Sequence, residues 1–206
     1  MLELVTRDRP DIVCLQELPV WAIRRLDGWS SMQAFSAIAR RPLVPGPVPG
    51  WVTRLNHGRI RSAFVGQANA ILVSPSLDAA DLGWTRVSDE VRERRIVQAV
   101  RIADHVVVAN LHASQAGHVP AAAAEEAQRS RAFAESLARA GETVVLAGDF
   151  NVLDPRLGEF SAPTAGVDHV LVKGATSLPP VVWPLERRTL DGVVLSDHAP
   201  VEVTIE

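Results

Sequence analysis

Short apolar runs, broken by polar or turn-forming residues, recur along the 206-residue chain and have the length of strands rather than helices. They predict strands over residues 11–18, 69–74, 96–102, 105–112, 143–148, 168–173 and 200–205. Two of these alternate with period two. Val97, Ala99 and Arg101 oppose Ile96, Gln98, Val100 and Ile102, and Val201, Val203 and Ile205 oppose Glu202 and Thr204, which predicts one wetter face on each strand. A helix is predicted over 120–140, with Pro120 in its first turn, Glu125 and Glu126 towards its amino end, Arg139 in its last turn and Gly141 as its stop. Leu2, Leu4 and Val5 mark the end of another helix before Pro10, and residues 21–26 a short one after the first strand. Strands and helices interleave without a repeat or linker, so residues 1–206 read as a single α/β domain.

Composition supports one sizeable core, at 47% apolar and 22% charged. A formal net charge of −3 excludes a protein that coats polyanions through bulk basic charge. The distribution is uneven, however. Residues 28–77 hold no Asp or Glu but carry Arg40, Arg41, Arg54, Arg59 and Arg61, and the Pro/Gly-rich stretch in 40–61 reads as a basic loop facing either substrate or solvent. Cys14 sits among apolar neighbours and reads as a buried thiol. The chain shows no membrane-spanning run and no signal-like opening, so the cytoplasm is the expected compartment, and no feature points to an obligate protein partner.

Candidate chemistry collects at the ends of apolar runs: Gln16 and Glu17, Asn110 and His112, Asp149 and Asn151, Asp168 and His169, Asp197 and His198. Any one set has a plain structural explanation as a turn or cap. Five in one chain weaken that explanation. Glu17 supplies a hard anionic oxygen suited to Mg²⁺ or Mn²⁺, whereas zinc chemistry would call for cysteines or close-spaced histidines. A carboxylate near a carboxamide, as in Asp149 and Asn151, can activate water and bind a phosphoryl oxygen. Ser196, Asp197 and His198 cannot form a hydrolase relay, because consecutive extended residues point in opposite directions and no G-x-S-x-G elbow is present.

In order, LQEL (Glu17), QANAIL (Asn69), NLHAS (Asn110, His112), GDFN (Asp149, Asn151), DHVLV (Asp168) and SDHAPVEV (Asp197, His198) resemble the endonuclease/exonuclease/phosphatase superfamily, which is deoxyribonuclease-I-like. The resemblance runs from about Leu2 to the end of the chain. It implies a four-layer α/β/β/α sandwich of two β-sheets with outer helices, and metal-dependent hydrolysis of phosphodiesters or phosphomonoesters. By the same resemblance Glu17 would hold Mg²⁺ (or Mn²⁺), with Asp197 a second carboxylate near the metal. Asp149 would activate water, Asn151 would bind the scissile phosphate, Asp168 would orient His198 on the phosphoryl group, and His112 would be the general acid. Asn69, Asn110 and Arg95 are candidate substrate contacts. A phosphate-ester substrate is implied, with a nuclease-like one favoured by the basic 40–61 segment and Trp51.

One departure stands out. Relatives begin with a strand carrying an asparagine, in a pattern like ATWNV, whereas Met1 here starts within the helix that normally follows it. The expectation is a sandwich lacking its first amino-terminal strand, with two explanations: a start lying upstream, or a short form that is weakened, inactive or completed by another chain. A catalytically dead binding or scaffold member is the competing functional reading.

Overall fold

The computed structural model describes residues 1–42, 65–89, 94–115 and 120–206. The basic stretch expected to form a loop, with Trp51, lies largely outside the described residues. After a short helix α1 (Leu2–Thr6), β1 (Ile12–Leu18) leads through a 3-10 turn (Val20–Arg25) and α2 (Leu26–Ser30) to β2 (Gln33–Arg40) and β3 (Gln67–Val73). These three strands form an antiparallel sheet in the order β1-β3-β2. A second sheet runs in chain order through β4 (Ala79–Arg86), β5 (Ile96–Ile102), β6 (Val106–His112), β7 (Thr143–Asp149) and β8 (Asp168–Lys173). Its β6–β7 pair is parallel, and the crossover that this demands carries α3 (Pro120–Leu137). Short pairs complete the chain: β9 (Val181–Val182) with β12 (Val201–Glu202), and β10 (Thr189–Leu190) with β11 (Val193–Val194).

Alternation along the strands builds four layers. Ile71, Val73, Val100, Ile102, Val108, Val145 and Val172 meet between the two sheets. The opposite-parity residues Val97, Ala99, Val107, Ala109, Leu111, Val144, Leu146 and Leu171 receive Ala123, Ala127 and Ala134 of α3 on the outer side. Ala70 and Leu72 point out of the smaller sheet against Leu26, with Leu2 packed alongside. The result is the expected α/β/β/α sandwich. Small alanines let α3 lie close to the sheet. Its end comes three residues before Ala140, where Arg101 NH2 donates to the Leu137 carbonyl at 2.7 Å and Glu142 accepts from the Arg139 N–H at 2.7 Å.

Two expectations change. β5 is buried on both faces apart from Arg101, because α3 covers the side that alternation assigned to solvent. The last strand is reduced to two residues. β2 and β4 form although no apolar run marked them; their sequences, QAFSAIAR and AADLGWTR, are alanine-rich or polar and are fixed by cross-strand pairing. Among the described residues β1 pairs with β3 alone, and it is half-buried along most of its length where β3 is buried. Cys14 on this strand packs into the inter-sheet core, and burial pushes its thiol up to about 12.

The inter-sheet faces are apolar at one end only. At the other end the inward positions become Gln67, Asn69, Gln98, Asn110, His112, Asp149 and Asp168, and the functional residues gather there.

Candidate active site

Strand register assembles the site. His112 pairs with Asp149 across β6 and β7, and Asp149 with Asp168 across β7 and β8, so residues distant in sequence stand in one row. Gly148 permits this arrangement: at φ +132° any Cβ on it would lie 2.0 Å from the Leu111 carbonyl oxygen, and only glycine lets β7 lie against β6 here. Beyond Asp149 the chain turns at Asn151, whose φ of +51° is one that asparagine tolerates well. Asn151 donates from its backbone N–H to Asp149 Oδ1 at 3.0 Å, and from Nδ2 to Asp149 Oδ2 at 3.1 Å and the Ala113 carbonyl at 3.0 Å.

Glu17 arrives from the other sheet. The β1–β3 register slips between Leu15 and Leu18, and Glu17 has φ +56°. A bulge re-aims its side chain, and left-handed backbone at a glutamate is strain of the kind that persists at functional sites. Its carboxylate is 67% exposed, accepts a hydrogen bond from Gln67 Nε2 at 3.3 Å, and lies 3.7 Å from His112 Nε2. Asp149 Oδ2 is also 3.7 Å from that nitrogen, so two carboxylates flank one imidazole.

His198 joins from the segment before β12. Its Nδ1 donates to Asp168 Oδ2 at 2.8 Å, so its carboxylate partner is not the adjacent, exposed Asp197. Arg188 NH1 holds that segment by donating to the carbonyls of Ser196 and Asp197 at 3.0 and 3.1 Å. Ligand atoms of Asp149, Asp168 and His198 all lie within 4.8 Å of one another.

The model of the endonuclease/exonuclease/phosphatase family matches residues 1–198. The chain belongs to this family. Its members are hydrolases of phosphoesters. No curated protein matches the sequence, but solved structures share the fold at low identity. A conserved protein of unknown function from Enterococcus faecalis V583 is 17% identical, with TM-score 0.69 over 100% of this chain and 89% of the other. The mannosyl-6-phosphatase of Bacteroides thetaiotaomicron VPI-5482 is 17% identical, with TM-score 0.67 over 100% and 88%. Truncated TDP2 from Caenorhabditis elegans is 14% identical, with TM-score 0.66 over 99% and 87%.

Within this family member the site groups are tuned in opposite directions. Burial, reinforced by Asp168, pushes Asp149 up to about 6. The hydrogen bond to Asp168 raises His198 to about 9, so this imidazole is cationic at neutral pH. Burial and the Arg95 guanidinium hold His112 well below its ordinary value. This favours the neutral imidazole at the residue expected as general acid, which lies in contact with Arg95, Glu17 and Asp149. His169 is held by the fold. Burial lowers its pKa, and it accepts from the Thr164 N–H at 3.1 Å while its Nε2 lies 2.7 Å from the Val152 carbonyl.

The three expected substrate contacts are placed differently. Arg95 is 5% exposed, with NH1 2.7 Å from His112 Nε2, so it lies under the row. Asn69 is buried and donates to the Ile96 carbonyl at 3.4 Å. Asn110 is fully buried. Its Oδ1 accepts from Gln16 Nε2 at 2.7 Å and its Nδ2 donates to the Leu15 and Ala70 carbonyls, each at 3.0 Å, so the amide clamps one sheet to the other. At a strand end an inward polar side chain can serve the sandwich. Asn110→Ala should lower unfolding stability in urea by about 2 kcal/mol, since one buried and two part-buried polar groups lose their partner. An unchanged midpoint would exclude the clamp.

Gln67, Arg188 and Glu126 were not singled out as site residues. Gln67 opens the QANAIL motif but carries no signal of its own there, Arg188 and Glu126 lie outside the motifs, and only the folded register brings Gln67 to Glu17 and Arg188 to the His198 segment.

Proposed function

We propose that this chain is a divalent-metal-dependent phosphoesterase acting by in-line attack of water on a phosphoryl centre. The observation that carries the reading is the juxtaposition of a carboxylate tuned near neutrality, Asp149, with a cationic imidazole, His198, beside the Asn151 amide. Asp149 is ionised above about pH 6 and can take a proton from the attacking water. His198 offers positive charge to the phosphoryl oxygens, and Asp168 fixes its ring. Asn151, anchored through Ala113 and Asp149, orients the phosphate.

The donor set fits a hard cation. Glu17, Asp149 and Asp168 present carboxylate oxygens, and among the described residues none is in an ion pair with lysine or arginine. Glu17 would hold Mg²⁺ or Mn²⁺, with the Asp149 and Asp168 oxygens next in the row, and Asp197 lies exposed beside His198. When bound, the cation supplies Lewis-acid polarisation of a phosphoryl oxygen. A nuclease-like substrate is the finer reading, supported by the basic 40–61 sequence, and a sugar phosphate is the alternative suggested by the mannosyl-6-phosphatase likeness.

The test is a panel: bis-(4-nitrophenyl) phosphate, 4-nitrophenyl phosphate, DNA and RNA oligonucleotides and hexose 6-phosphates, each with Mg²⁺, Mn²⁺ or EDTA. Hydrolysis of at least one ester, stimulated by metal and stopped by EDTA, is expected. The same panel should show a metal-induced thermal shift that Glu17→Gln reduces. EDTA-insensitive hydrolysis, or no hydrolysis of any ester, would overturn the reading.

A further inference from the structure

Glu126 lies on α3, outside the row of active-site residues, yet it is 3% exposed and both its carboxylate oxygens are used. Oε2 accepts from the Ser114 backbone N–H at 2.6 Å and Oε1 from Ser114 Oγ at 2.8 Å. A buried carboxylate carries a heavy desolvation cost, and these two charge-assisted hydrogen bonds offset it at the segment that leaves β6. The preceding peptide is gripped from the other side. The Ala113 N–H donates to the Asp149 carbonyl at 2.8 Å, and the Ala113 carbonyl accepts from Asn151 Nδ2 at 3.0 Å.

We propose that Glu126 is a positioning residue for Asn151. By fixing Ser114 it fixes the Ala113 carbonyl, and that carbonyl sets the direction of the Asn151 amide. Asn151 Nδ2 has two hydrogens, one for Ala113 and one for Asp149. With the first acceptor held still, the amide has one orientation relative to the carboxylate beside it. If Ser114 is released, the Ala113 peptide can rotate and the amide loses its outer anchor. Helix α3 thereby joins the chemistry of the strand ends through a single carboxylate.

The inference rests on the phosphoesterase reading for its kinetic consequence but not for its geometry, so the test has two arms. In the first, the Asn151 side-chain amide is followed by ¹⁵N–¹H NMR without substrate. A sharp, dispersed pair is expected in the parent protein, and broadening or collapse towards the free-amide position in Glu126→Ala. Glu126→Gln, which keeps an acceptor for the Ser114 N–H, should restore the signals. Unchanged signals in a folded Glu126→Ala would overturn the proposal whether or not the protein hydrolyses anything. In the second arm, Glu126→Ala should reduce kcat about 10-fold in the parent background but less than 2-fold in an Asn151→Ala background, because the two residues act in series. Equal losses in both backgrounds would overturn it. Should Glu126→Ala fail to fold, Ser114→Ala removes one of the two hydrogen bonds and is expected to give a smaller loss with the same background dependence.

Discussion

Asp149→Asn should lose turnover on the order of 10³-fold and yet, with divalent cations chelated, melt at a higher temperature than the parent. Both effects have the same origin. Burial and the neighbouring Asp168 raise the Asp149 carboxyl from 3.8 to about 6. A carboxylic acid whose folded pKa lies above its unfolded one binds more protons in the native state, so stability falls as pH rises from about 4 to about 6 and stays low above that. The ionised carboxylate therefore costs the parent protein up to about 3 kcal/mol at neutral pH, from a shift of about two pH units. The asparagine variant lacks this fall, although an amide facing Asn151 Nδ2 recovers less than the full amount. Chemical denaturation in EDTA would show it: between pH 4 and 6 the parent loses stability and the variant does not, while from pH 6 to 8 both decline together as His198, raised to about 9 in the fold, loses its advantage over the unfolded chain. A variant that is inactive and also less stable at pH 8 would show that Asp149 holds the fold together rather than storing strain for catalysis.

The second large effect concerns His198 and is a change of shape rather than of height. In the parent, activity needs Asp149 ionised and His198 protonated, so kcat/KM should rise through about pH 6 and fall through about pH 9. Asp168 enters both limbs. Its hydrogen bond raises His198 from 6.5, and its charge helps to raise Asp149. Asp168→Asn keeps an acceptor for His198 Nδ1 but removes the charge, so both limbs should move to lower pH. At pH 8 an imidazole titrating near 9 is about 90% protonated and one titrating near 6.5 about 3%, which predicts a loss of roughly 30-fold. At pH 6 an imidazole titrating near 6.5 is still about 76% protonated, so the loss should almost vanish. Pre-steady-state or kcat/KM profiles from pH 5 to 10 would decide it, and a uniform loss at every pH would reduce Asp168 to a packing role.

These effects rest on residues that the sequence exposes well. LQEL, GDFN and SDH announce Glu17, Asp149, Asn151 and His198 because each motif couples a chemical side chain to a local turn, and the six apolar runs from β1 to β8 announce the strands that carry them. What is hidden is whatever depends on the partner across a sheet. β2 and β4 have no apolar run of their own, and β5 looks half-exposed until α3 is laid on it. Asn110 looks like a substrate contact until its three hydrogen bonds are seen to point between the sheets. His112 has the residue type of an acid, and only its burial and the Arg95 guanidinium beside it reveal that its pKa is held down. Glu126 carries no local signal at all, since a glutamate in a helix is ordinarily solvated.

The polar end of the inter-sheet space divides labour within the fold. His112, Asp149 and Asp168 are held at facing positions on paired strands, where register fixes their order. Beyond the Ala113–Ser114 peptide and Asn151, the segments that leave those strand ends face no such restriction on length or composition. Insertions there can reshape what approaches the row without moving it. In the phosphoesterase reading, selectivity and bond cleavage can therefore change independently.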